Sequence, residues 1–136
     1  MAQPPVDLLR DVPLFSDLDD KTLASLASEF IERHFDPGAA IATEGVDGLN
    51  FFVVASGEAT VTVHGDRVGS LSRGDAFGEV ALVDKSARSA TVTADTPMVA
   101  YALPVWSFRP FVEQRPELAW KLLEILAERL RSAQAR

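Results

Sequence analysis

The chain has 136 residues, about one ordinary domain, and its 47% apolar content suffices for a core without metals or disulfide staples. It contains no cysteine, which excludes a disulfide framework, thiolate metal sites, iron–sulfur ligation and a cysteine nucleophile. Thirteen basic residues against 20 acidic ones leave a net charge of -7, a field that repels nucleic-acid phosphates and acidic membranes, so a small anion must be held by local donors.

No apolar run approaches the roughly 20 residues of a membrane span. The opening stretch through Pro13 lacks a basic region followed by an apolar one, so no secretory signal is expected and a cytoplasmic chain fits. Val6 to Asp11 reads as a short amphipathic segment that Pro13 ends. A helix is predicted over 19–29. Asp19 supplies the N-cap, Leu18 staples onto Leu23, and Leu23, Leu26, Ala27 and Phe30 form the apolar stripe.

From Ile31 to Tyr101 the helical period vanishes and all eight glycines appear. Strand runs are predicted at 31–35, 39–43, 50–55, 59–64, 67–71, 77–82, 89–94 and 98–103. Thr60 to Val63 alternates as a half-buried strand does, whereas Phe51 to Val54 is apolar throughout and belongs deeper. Nothing between the runs is long enough for a parallel crossover, so short strands at this spacing predict an antiparallel sandwich or jelly roll. After Pro104 the helical texture returns. Trp106, Phe108, Phe111 and Val112 predict a short helix ending near Arg115. Pro116 and Glu117 open a second helix, with Leu118, Leu122, Ile125, Leu126 and Leu130 in helical spacing and Glu124 and Glu128 able to pair with Lys121, Arg129 or Arg131. The expectation is one α+β domain over 1–136: an N-terminal helical segment at 7–30, a β-rich body at 31–103, and C-terminal helices at 104–136.

The chemistry concentrates in Arg73 to Leu82 and in Val83 to Val92. Gly78 permits an unusual torsion or a close backbone approach, and several N–H groups beside it can cradle an anion. Arg88 offers a five-donor fork at the head of an uncharged strand. Turned inward, that charge needs an anion or a carboxylate to meet it. Glu79 can supply the carboxylate, or it can accept hydrogen bonds from sugar hydroxyls. The residues alone leave two readings open: a sugar-phosphate site, or a salt bridge from Arg88 to Glu79 that braces two strands. Gly57, Gly65 and Gly69 read as turns.

Phe77-Gly78-Glu79-Val80-Ala81-Leu82, with Arg88-Ser89-Ala90-Thr91, resembles the phosphate-binding cassette of the cyclic nucleotide-binding domain family. Val12 to Phe15 with Leu18, the turns at Pro37-Gly38 and Glu44-Gly45, the stretch Phe51 to Glu58, and Pro116 to Leu130 resemble other parts of the same domain. The resemblance implies an antiparallel β-roll, jelly-roll-like, with one N-terminal helix and C-terminal hinge and lid helices. It implies that Glu79 holds the ribose 2′-hydroxyl, Arg88 the cyclic phosphate, and Ser89 the phosphate or base. Backbone groups around Gly78, Val80, Ala81 and Leu82 would complete the cradle on a short helix at 79–83. Val68 and Leu71 resemble the apolar wall beside the base. Ala87, where many members carry proline, departs from the pattern and should loosen the loop slightly.

On the purine side the resemblance puts Ala133 of the last helix over the base, with Arg129 facing the Glu79 region. With only a methyl group at 133, the lid is expected to be incomplete, mobile or supplied by a partner subunit. The implied ligand is cAMP, with cGMP as the alternative, and no cofactor or metal is implied. A catalytic role finds little support. His34 and His64 are the only histidines and are expected on half-exposed strand faces, and Ser56 and Ser89 lack a Ser-His-Asp arrangement. Arg73-Gly74-Asp75 reads as a β-turn. Direct DNA binding is not expected, since no helix-turn-helix follows and the charge is acidic. Trp106, Phe108, Phe111 and Trp120 read mostly as core and helix-docking surface. The expected function is reversible cyclic-nucleotide binding that couples occupancy to the last helix, with output to an effector domain or subunit. The alternative is a β-roll that serves as a protein-interaction or structural module without using its pocket.

Overall fold

The computed structural model describes residues 3–45, 48–83, 88 and 90–134. Helix α1 (Val6–Arg10) follows Pro5 and buries Leu8 and Leu9. A 3₁₀ turn at Pro13–Phe15 then buries Leu14 and Phe15. Helix α2 (Asp20–Ala27) starts where the Asp19 carboxylate accepts a hydrogen bond from the Thr22 amide at 2.8 Å, satisfying an N–H that the first helical turn leaves without a partner.

Among the described residues eight strands follow: β1 (Ile31–Phe35), β2 (Ala40–Ala42), β3 (Asn50–Ser56), β4 (Ala59–Val63), β5 (Asp66–Leu71), β6 (Ala76–Phe77), β7 (Thr91–Ala94) and β8 (Met98–Pro104). They form two antiparallel four-stranded sheets, ordered β1-β8-β3-β6 and β2-β7-β4-β5. This is an open antiparallel β-roll flanked by helices, an α+β fold. The unbroken apolar runs of β3 and β8 have a physical reason. Phe51 and Val53, with Tyr101 and Leu103, face a cluster shared with the helices. Phe52 and Val54, with Met98, Ala100 and Ala102, face the interior between the sheets. Successive side chains point to opposite faces, so a strand covered on both sides must be apolar at every position. Phe15 packs edge-on against Phe30 and Phe51, joining the N-terminal segment to β3.

Helices α3 (Val105–Gln114) and α4 (Pro116–Gln134) close the chain. Arg115 lies over the Phe111 ring between them, and Lys121 ties α4 to Asp17 at 3.3 Å. No described helix is long and apolar enough to cross a membrane.

Several expectations change. The run 77–82 is not a strand: β6 stops at Phe77, because Gly78 adopts φ 88° and turns the chain into a 3₁₀ turn at Glu79–Leu82. The run 89–94 shortens to β7. Gly69 is not in a turn but lies within β5, opposite Val61 beside a register shift in the ladder. His64 does not sit on a strand face; it occupies the β4–β5 turn with φ 52°. Trp106 and Trp120 are exposed, whereas Phe108 is buried and Phe111 packs against the core. The in-helix partners expected for Lys121 and Arg129 give way to contacts off the helix, with Asp17 and Glu79.

Candidate functional site

Gly78 sets the site. Its left-handed torsion is one that L side chains rarely adopt, and a Cβ there would stand 2.5 Å from Arg88 Nη1 and 2.9 Å from the Asn50 carbonyl oxygen. The bend aims Glu79 inward, where it is buried. Val80 points to solvent, Leu82 is buried in the helix-side cluster, and Ala81 contributes backbone to the 3₁₀ turn.

Arg88 is half-buried, and its backbone is fixed by a bridge to Glu44 and by its carbonyl, which accepts from the Gly45 amide at 2.9 Å. The guanidinium donates through Nη2 to the Asn50 carbonyl at 2.6 Å and lies 6.0 Å from the Phe52 ring centre. Two glycines make room for it. A Cβ on Gly48 would fall 1.9 Å from Arg88 Nε, so only glycine leaves room for the side chain on this flank, as Gly78 does on the other. Burial pushes the Arg88 guanidinium below its usual pKa, and the charge of Glu79 opposes the shift.

The bracing salt bridge between Arg88 and Glu79 does not form. Glu79 Oε1 pairs instead with Arg129 Nη2 of α4 at 2.6 Å, so a nearly inaccessible carboxylate is met by a cation from the last helix. A cleft of about 1060 Å³ opens along this pair. Val63 and Val68 of the β4–β5 hairpin, the segment at Asp11–Leu14, and Ile125, Glu128 and Ser132 of α4 line it. Val68 is exposed into this cleft, but Leu71 is not part of its wall. It packs into the interior cluster between the sheets, because the two residues lie on different faces of β5. Ser89 and Ala87 lie outside the described residues. Ala133 lies on α4, described by its backbone alone.

Gly48 and Asn50 were not singled out by sequence. A glycine two residues before a strand reads as a loop residue, and a backbone carbonyl has no side-chain signature. The place of Glu128 and Ser132 on the cleft wall carries no sequence signal, because helical spacing gives which residues share a face, not what that face meets. Asp75 serves its turn, accepting from the Ser72 amide at 2.9 Å. His34 pairs with Glu32 at 2.8 Å and His64 with Glu44 at 3.1 Å.

An open β-roll with a glycine-framed arginine and a buried carboxylate tied to the last helix has the parts of a ligand-binding module. A family model described as "Cyclic nucleotide-binding domain" matches residues 32–115. The cAMP-dependent protein kinase regulatory subunit of Yarrowia lipolytica is 45% identical over 92 residues, covering 66% of this chain and 24% of that protein. Glutaminase 2 of Bradyrhizobium diazoefficiens is 34% identical over 133 residues, 94% of this chain and 21% of that protein. The chain thus spans about a quarter or less of these relatives. Among solved structures, the N-terminal domain of a transcriptional regulator from Streptomyces coelicolor superposes with a TM-score of 0.80 at 32% identity, covering 93% of this chain and 94% of that one. The catabolite activator protein of Thermus thermophilus gives 0.82 at 30% identity, over 90% and 60%. The chain belongs to the cyclic nucleotide-binding domain family.

Proposed function

We propose that residues 1–136 act as one regulatory or sensor domain that binds a cyclic nucleotide reversibly, cAMP before cGMP, in the cytoplasm. The observation that carries this reading is Arg88: a guanidinium taken partly out of water, in a space that two glycines leave to it, while the carboxylate of Glu79 is committed to Arg129. Such a charge is stabilised by an anion that reaches it. The cyclic phosphate meets Arg88, with Ser89 and the backbone at Gly78, Val80, Ala81 and Leu82 beside it. The second oxygen of Glu79 accepts the ribose hydroxyl, and Val68 lies along the base. Arg129 and Ala133 close the site from α4.

Signalling follows from the differential affinity of the ligand for arrangements of α4. Arg129 already rests on the cassette carboxylate, so a ligand filling the cleft beside that pair favours the docked helix, and the C-terminal helices pass the change to an effector domain or subunit. One observation favours the alternative, a β-roll used only for protein contacts: Glu79 is satisfied without a ligand.

Titration calorimetry with cAMP and with cGMP separates the two. Saturable heat with cAMP, and an affinity at least about tenfold weaker in Arg88→Ala, is the expected result. No heat and no thermal shift with either nucleotide at millimolar concentration would establish the alternative. Unchanged affinity in Arg88→Ala would move the phosphate elsewhere.

A further inference from the structure

The tip of the β4–β5 hairpin is held from outside the hairpin. Its two central residues, His64 and Gly65, have φ of 52° and 83°, and Val63 pairs with Asp66 on either side of them, the arrangement of a type I′ turn. Asparagine is the commoner residue before the glycine of such a turn. The histidine here is met by Glu44, from the segment that follows β2. The His64 amide donates to Glu44 Oε1 at 2.9 Å, and the ring atom Nδ1 lies 3.1 Å from Oε2. Both oxygens of one half-buried carboxylate therefore engage the hairpin tip.

The backbone of Glu44 faces the other half of the site. It bridges to Arg88, its amide donates to Thr91 Oγ1 at 2.9 Å, and the amide of Gly45 donates to the Arg88 carbonyl at 2.9 Å. One residue thus connects the backbone that carries Arg88 to the hairpin whose Val63 and Val68 line the cleft. Neither Glu44 nor His64 lines the cleft itself.

We propose that Glu44 is a positioning residue of the binding site and His64 its latch: together they fix the separation between Arg88 and the wall at Val63 and Val68. The inference rests on the reading that the cyclic phosphate meets Arg88 while the base lies along Val68. A ligand that touches both parts at once binds more weakly when the hairpin tip is free to leave Arg88, because ordering that the clasp has already achieved then falls on the binding step. The clasp adds little to stability, since His64 is exposed and pairs of this kind contribute little.

Titration calorimetry with cAMP, paired with thermal melts of the full chain, tests this. Glu44→Ala removes both contacts and is expected to weaken cAMP binding about fivefold with little change in melting temperature. Glu44→Gln keeps a carbonyl that accepts from the His64 amide and should stay within about twofold of wild type. His64→Asn keeps the turn torsion and removes the ring contact, for an expected loss of about threefold. The double variant Glu44→Ala/His64→Asn should lose no more than Glu44→Ala alone, because both residues act through one clasp. A wild-type chain that gives no saturable heat would overturn the reading of the pocket itself. Where the wild type binds, wild-type affinity in Glu44→Ala and His64→Asn would overturn the positioning role alone, as would equal losses in Glu44→Ala and Glu44→Gln. His64→Asn, altered at an exposed turn, decides the matter if Glu44→Ala does not fold.

Discussion

Arg88 illustrates how a binding residue burdens the fold that carries it. Its guanidinium loses water on folding and gains the Asn50 carbonyl at 2.6 Å, and the loss of solvation pushes its pKa down. Gly48 and Gly78 leave the volume it occupies. The two glycines differ in what a methyl group would meet. At Gly78 it meets a backbone oxygen at a torsion unsuited to L residues, so the fold itself suffers. At Gly48 the three nearest atoms all belong to the Arg88 side chain, which can yield. Gly48→Ala is therefore expected to displace the guanidinium and weaken nucleotide affinity several-fold or more while the melting temperature moves little. Calorimetry and a thermal melt on the same sample check this; wild-type affinity in Gly48→Ala would show that Gly48 does not position Arg88.

At the scale of elements, α4 is anchored differently along its length. Its first turns bury Leu118 and Leu122 and reach Asp17 through Lys121, so they are held by apolar area. Its later turns are mostly exposed, and Arg129 on Glu79 is their polar attachment to the cassette. Removing the arginine leaves a buried carboxylate without its cation and the end of the helix without its tether. Arg129→Gln is expected to speed amide hydrogen exchange in α4 beyond residue 125 in the ligand-free protein, while exchange at 116–122 stays as in wild type. Equal protection in both proteins would mean that packing alone holds the last turns. The 3₁₀ turn at Glu79–Leu82 belongs to the same element-scale logic: it presents Glu79 to α4 while Leu82 fixes it to the core.

Across the whole molecule, two apolar clusters share β3 and β8 as a common wall. One joins sheet to sheet; the other joins the sheet to every helix. A ligand in the cleft touches elements of both, the β4–β5 hairpin and α4, so its binding energy adds to the cooperative stability of the fold. Nucleotide at about 100 times its dissociation constant should add about 2.7 kcal/mol, a rise of several degrees in melting temperature for a chain of this size. The rise should continue with the logarithm of ligand concentration, and a melting temperature that stays flat would contradict binding to the folded state.

What the chain determined by itself is local. Asp19 caps a helix because its carboxylate reaches an amide three residues on, Gly78 bends because nothing hinders it, and the strands of the roll appear where the helical period gives way to glycine-bounded apolar runs. The cassette residues were legible for the same reason, since they lie within a short span. Only tertiary structure decided what crosses the molecule. The Asn50 carbonyl meets Arg88 from 38 positions away, Arg129 rather than Arg88 takes the Glu79 carboxylate, Leu71 turns into the core, and both tryptophans face outward. Periodicity shows which residues share a face. It does not reveal which face another element will cover, because that depends on how two sheets and four helices settle against one another.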